Sequence, residues 1–295
     1  MRFVWIIAAA VLPLACRGFS SPSVSATLPQ TTTDSTLDDF DYHNNDKLPW
    51  IEQGYKSWNW KNHKINYVEL GDPSKPALVL IHGFGASSYH WRFNIPELAK
   101  DYHVFAFCKL GFGLSDKPIQ DYAAEVWRDQ AVDFLKEVVQ KPATLVGNSL
   151  GGFTSLYAAA TDEAKSLVDG VVLINGAGRF RDPEADLKVQ EKPNPFVEAI
   201  QQSIQRLVIG ASFMLTKQPL RIEQILKSVY PRNQENVDAE LVESIRYPST
   251  HPNAAEVFYR VITKNGSGPS VFVDDLLAKM ECPLLLCWGE FDRKS

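Results

Sequence analysis

Residues 141–160 read Lys141-Pro142-Ala143-Thr144-Leu145-Val146-Gly147-Asn148-Ser149-Leu150-Gly151-Gly152-Phe153-Thr154-Ser155-Leu156-Tyr157-Ala158-Ala159-Ala160. A short apolar run ends at Gly147, and a small-residue-rich run starts at Leu150. The first has the character of a buried strand and the second of a helix. Gly147-Asn148-Ser149-Leu150-Gly151 is therefore a G-x-S-x-G motif at a strand-to-helix turn, the context in which it holds a nucleophile. A serine hydroxyl attacks poorly unless it is exposed beside a base. A sharp turn lifts it clear of the backbone, and the residues two before and two after must be small for that turn to close. The helix N-terminus then presents amide hydrogens to a developing oxyanion. The flanking runs favour this reading over a glycine-rich turn whose serine merely caps a helix.

Working outward, strand-like and helix-like segments alternate. Residues 65–70 alternate apolar and polar; residues 77–82 (ALVLIH), 103–107, 170–174 and 283–288 (PLLLCW) are apolar runs. Residues 122–139 show helical spacing, with Trp127, Ala131, Phe134, Leu135 and Val138 on one side. Buried strands separated by helices predict an α/β fold built on a doubly wound, mostly parallel sheet. Between 179 and about 280 the buried strands give way to apolar helical segments at 195–215, 220–229, 239–245 and 254–262. An insertion of this kind predicts a helical cap, about 180–280, over the ligand crevice.

Two further loops carry signals. His82-Gly83-Phe84-Gly85 follows the ALVLI strand, where a second oxyanion donor is expected. The backbone amides of Phe84 and Leu150 are the candidate donors, and His82 is expected to hold the loop rather than act as base. Residues 109–118 (KLGFGLSDKP) lack the spacing of a dinucleotide fingerprint and predict a structural loop at the crevice edge.

These stretches, with residues 78–99, 145–159 and 171–180, resemble the α/β-hydrolase superfamily. Within it, they are similar to the plastid and cyanobacterial group that includes pheophytinase and chlorophyll dephytylase. The resemblance spans about residues 58–292. It implies a serine, acid, histidine triad in that chain order. Ser149 matches the nucleophile, and Asp292, in Trp288-Gly289-Glu290-Phe291-Asp292, matches the acid that orients the histidine. Glu290 is the alternative acid. It also implies a hydrophobic carboxylic ester as substrate, with the phytyl ester of a chlorophyll pigment as one candidate. Haloalkane dehalogenases and most epoxide hydrolases of this fold carry Asp where Ser149 stands, which argues against both chemistries. Two departures stand out. Cys108 replaces an Asp common in the family, so altered local hydrogen bonding is expected. No histidine follows Asp292: the six are His43, His63, His82, His90, His103 and His251, and His251 is a poor substitute. The expectation is a chain shortened at its C-terminus, lacking the closing strand and helix, with a non-catalytic binding relic as the alternative to an esterase.

At the other end, residues 1–15 (MRFVWIIAAAVLPLA) set one Arg before an apolar run. A bilayer span needs roughly 20 apolar residues, so residues 1–18 predict a signal peptide. Residues 19–47, rich in Ser, Thr and Pro and then acidic, predict a disordered transit or linker segment. The folded domain is expected over 48–295. The run ACRGFSSPSVS resembles presequences of algae with complex plastids, giving plastid delivery as the expectation, with secretion or a lipoprotein at Cys16 as alternatives.

Composition agrees with a globular chain: 295 residues, 45% hydrophobic and 22% charged, with a net charge of −5. The acidic balance excludes a general nucleic-acid binder. Four scattered cysteines, Cys16, Cys108, Cys282 and Cys287, exclude a zinc knuckle or disulfide framework, and Cys282 and Cys287 are expected in the core. No metal or cofactor is implied. The expected partners are a small hydrophobic ester and, through it, a membrane surface.

Overall fold

The computed structural model describes residues 55–181, 195–230, 232–264 and 271–289. The signal and linker expectations (1–18 and 19–47), His43, Glu290 and Asp292 lie outside them. Seven strands form one sheet: β1 (Lys56–Trp60), β2 (His63–Leu70), β3 (Ala77–Ile81), β4 (His103–Phe107), β5 (Ala143–Asn148), β6 (Val168–Ile174) and β7 (Leu284–Cys287). Their order is β1-β2-β4-β3-β5-β6-β7. From β4 to β7 all neighbours are parallel, whereas β1 and β2 join antiparallel at one side. β1 escaped the sequence reading, because the hairpin between it and β2 turns on Lys61 and Asn62, both at positive φ, without a glycine to mark it.

β3 and β4 are buried along their whole length because helices cover both faces. Alternation sends Val79 and Ile81 into a core with α2 (Ala124–Phe134) and α3 (Leu150–Ala159), and Leu78 and Leu80 into a second core on the opposite face. The helix expected over 122–139 is α2 followed by a π-helical turn, Leu135–Val139. The extra residue in that turn rotates the face, so Val139 is buried where Val138 was expected, and Val138 is only partly covered.

Among the described residues five helices fall between β6 and β7: α4 (Pro195–Thr216), α5 (Pro219–Val229), α6 (Ala239–Ser249), α7 (Ala254–Lys264) and α8 (Val273–Lys279). α5 and α6 join the second core through Ile222, Leu226 and Leu241; α7 and α8 join the first through Val257, Val261 and Leu276. Among the described residues β7 is the outermost strand on its side. Leu285, Leu286 and Trp288 are exposed there, and Cys282 and Cys287 are half-buried, which corrects the expectation that these two cysteines sit in the core.

Candidate active site

β3 and β5 are adjacent and parallel, with Ile81 opposite Gly147. Phe84 and Ser149 therefore leave the sheet at the same end, three and two residues beyond that pair. At Ser149 the backbone takes φ 51 and ψ −118, a sparsely populated conformation for a residue with a side chain. It is pinned by three backbone hydrogen bonds: Ser149 N–H donates to Ile174 O, and Ser149 O accepts from Phe153 N–H and Ala177 N–H. The Ser149 side chain does not cap α3, so the structure departs from the simple capping turn. The small neighbours are sterically required. A Cβ on Gly147 would lie 2.3 Å from Gly151 O, and one on Gly151 would lie 2.0 Å from Ile81 O.

That last contact sets the first turn of α3 against the end of β3. Leu150 is the first residue of α3, where backbone N–H groups have no partner within the helix. Phe84 lies on the loop that follows β3. Its ring packs 5.6 Å from Phe112 on one side and 5.6 Å from Phe258 of α7 on the other. The structure thus brings Ser149, Leu150 and the Phe84 loop to one end of the sheet. Asn175 Oδ1 accepts from Gly289 N–H at 3.2 Å, so the chain beyond β7 leaves from this end too.

Among the histidines, His82 has both ring nitrogens engaged, and His90 and His251 each hold a local contact through Nδ1. His82 Nε2 accepts from Lys109 N–H at 3.0 Å, which puts the proton on Nδ1, 2.8 Å from Gly83 O. Burial holds the ring well below the usual imidazole range, with the Lys109 charge adding to the effect. It ties the loop after β3 to the loop after β4. His90 Nδ1 accepts from Ser87 N–H, and burial pushes its pKa down to about 3. His251 is exposed on the α6–α7 connection, where its Nδ1 accepts from Asn253 N–H.

Cys108 is buried beside this loop. Its sulfur lies 3.4 Å from both the amide and the hydroxyl of Ser88 and 3.7 Å from Asn66 Oδ1. It occupies the supporting place expected of the family's Asp, with long sulfur contacts in place of charged ones. Beneath it Lys117 Nζ donates to Gly113 O and Ser115 O, and burial lowers its pKa to about 8. Lys109 is also fully buried, its Nζ 5.1 Å from the Trp127 ring and 5.5 Å from the Phe112 ring. The sequence carried no signal for either burial, since lysines in a loop read as solvated.

The sequence also missed how the helical insertion is fastened to the loops after β3 and β4 and within itself. Tyr89 hydroxyl donates to Glu240 Oε2 at 2.6 Å, and Arg92 Nη2 donates to Asn236 O at 2.8 Å. Asn253 Nδ2 donates to Lys117 O, and the Phe213 ring of α4 lies 5.0 Å from that of Phe258. Only the apolar spacing of the helices was legible, not these partners. Among the described residues no cluster of His, Cys, Asp and Glu could hold a metal ion.

Comparison with known proteins adds the lineage. The sequence pattern of the alpha/beta hydrolase fold matches residues 76–294. Chloroplastic pheophytinase of Arabidopsis thaliana is 28% identical over 73% of this chain, which spans 51% of that protein's length. The 1-acylglycerol-3-phosphate O-acyltransferase ABHD5 of Mus musculus is 38% identical over 49% of this chain and 40% of its own length. A crystal structure of a membrane phospholipase A, described as a novel bacterial virulence factor, superposes with a TM-score of 0.57 at 29% identity, covering 81% of this chain and 70% of that one.

Proposed function

The chain belongs to the alpha/beta hydrolase fold family, and we propose that it is a serine hydrolase that cleaves a hydrophobic carboxylic ester. Ser149 Oγ attacks the ester carbonyl, and the resulting oxyanion is held by the amides of Phe84 and Leu150. Collapse breaks the ester C–O bond, the alcohol leaves carrying the proton that Ser149 Oγ gave up, and water then hydrolyses the acyl-serine to the free acid and the restored serine. Asp292 is the proposed acid of the triad. None of the six histidines of this sequence follows Asp292. The observation that carries the reading is the strained backbone of Ser149 at a strand-to-helix turn, with its side chain unused as a cap. Such strain, of roughly 1–3 kcal/mol, persists where function requires the conformation.

The likeness to pheophytinase supports the phytyl ester of a chlorophyll pigment as substrate and a plastid as the compartment. The ring of Phe84, packed against Phe258 of α7, gives apolar character to the loop that shares the sheet end with Ser149, which suits a hydrocarbon chain.

The test is turnover of p-nitrophenyl esters of rising chain length by the wild type and by Ser149→Ala. The reading expects activity that grows with chain length and disappears in the variant while circular dichroism is unchanged. Wild-type turnover by the variant contradicts it. A second reading, a non-catalytic binding protein, is favoured by one observation: His82 and His90 both use Nδ1 or Nε2 in fixed loop contacts. Binding of a long-chain ester without turnover by either protein would select that second reading.

A further inference from the structure

Helix α4 has two unlike faces. Phe213 is buried, and through Phe258 it connects to the Phe84 loop, with ring separations of 5.0 and 5.6 Å. The opposite face is apolar and open. Leu207 and Leu215 are 75% and 69% exposed, and Val208 and Met214 are more than half exposed. Positions 207, 208, 214 and 215 fall on one side of a helix with 3.6 residues per turn. Leu220, 74% exposed at the start of α5, follows just past the corner between the two helices. Single exposed apolar residues are ordinary, but a stripe of them marks an interaction surface.

Charge identifies the occupant. Residues 205–222 contain Arg206, Lys217 and Arg221 and no Asp or Glu, in a chain whose net charge is −5. Arg206 is paired with Glu256 of α7. Lys217 and Arg221 stand at the α4–α5 corner, beside Leu215 and Leu220 in sequence. An apolar stripe ending in cations matches a layer that offers hydrocarbon and negative phosphate together. A second copy of this chain would bring the same positive corner and no acidic residue from this stretch. No described helix is long and apolar enough to cross a membrane, so the contact is one of lying on the surface.

We propose that the outward face of α4, with the first turn of α5, docks on an anionic lipid surface. The inward face of the same helix then stands over the Phe84 loop, and a hydrophobic ester has a short path from the lipid to Ser149. The docking itself stands without the reaction; only its purpose rests on the function proposed above.

The experiment is hydroxyl-radical footprinting of the 295-residue chain, read by mass spectrometry on the tryptic peptide 207–217. It is run without lipid, with phosphatidylcholine vesicles, and with vesicles of about three parts phosphatidylcholine to one part phosphatidylglycerol. The peptide should label readily without lipid. Labelling, at Met214 above all, should fall severalfold with the anionic vesicles and stay unchanged with the neutral ones. Lys217→Glu with Arg221→Glu should weaken vesicle binding by at least about fivefold per charge and abolish the protection, read in this variant at Met214 within the longer tryptic peptide 207–227. Leu207→Ser with Leu215→Ser should lower binding at least tenfold while turnover of a short soluble ester is kept.

Three results overturn the proposal. One is a peptide already protected without lipid, in a way that depends on protein concentration or not, which assigns the face to a second copy or to this chain. Another is a chain that floats with vesicles while the peptide labels as before, which places attachment elsewhere. The third is protection that survives the charge reversal. Ser149→Ala should dock like the wild type, so loss of the catalytic reading leaves the docking result intact.

Discussion

The end of the sheet and the helices above it are held by different physics. Around Ser149 the backbone is fixed by main-chain hydrogen bonds and by approaches too close for a Cβ. The helices α4 to α7 are fastened by side chains: Tyr89 to Glu240, Arg92 to Asn236, Asn253 to Lys117, and the rings of Phe84, Phe258 and Phe213. The first region tolerates almost no change in shape, and the second tolerates much. That division suits a site in which geometry at the reacting atom is constant and the apolar surface above it fits the substrate.

One substitution made in both regions measures the contrast. Gly151→Ala should cost about 4 kcal/mol or more, or abolish folding, because its Cβ meets Ile81 O at 2.0 Å, a backbone atom that cannot step aside. Urea unfolding checks this, and a loss below about 1 kcal/mol would break the contrast. Next in size, Phe84→Pro should lose about 3 kcal/mol of transition-state stabilisation, more than a hundredfold in kcat, by removing an amide donor. Phe84→Ala keeps the amide and loses only ring contacts, so its deficit should fall mainly on KM for long-chain esters. Equal losses of kcat in the two folded variants would assign the effect to the ring.

The third prediction concerns Lys117. Burial lowers its pKa to about 8, whereas the unfolded side chain titrates near 10.5. Between those values the unfolded state binds the proton and the folded state does not, so stability rises with pH across this window. The full difference is about 3 kcal/mol at 1.36 kcal/mol per pKa unit. The two carbonyls that accept from Nζ favour the charged form, so the gain should lie below that figure. Lys117→Met removes this titration, so wild-type stability relative to the variant should climb from pH 8 to pH 10.5. A flat difference would mean that the loop opens enough to hydrate the ammonium. The smallest effect is the counterpart of the first: Gly210→Ala in α4 meets no atom within 4 Å and should stabilise by up to about 1 kcal/mol.

How much was legible in the sequence follows the same division. β3, β4 and β5 were plain because strands buried on both faces are continuously apolar, and Ser149 was plain because its motif fell between a strand and a helix. β1 was hidden by a glycine-free hairpin, and the π-helical turn after α2 moved burial from Val138 to Val139, which a 3.6-residue period cannot foresee. Helix α4 was visible as apolar, but its sequence does not distinguish Phe213, which is buried, from Leu215, which faces outward. That choice is made by Phe258, 45 positions further along the chain, and no local pattern encodes it. β7 reads as a core strand from its leucines, yet exposure depends on whether a neighbour lies beside it.

The proposed chemistry stands or falls with Ser149 as a nucleophile presented at the end of the sheet. A fluorophosphonate probe, which bonds covalently to an activated serine, tests it most directly when the modified residue is mapped by mass spectrometry. A single adduct is expected on the peptide containing Ser149, lost in Ser149→Ala and slowed by a long-chain ester competitor. An adduct on another serine, or none on a folded chain that binds the ester, would contradict it.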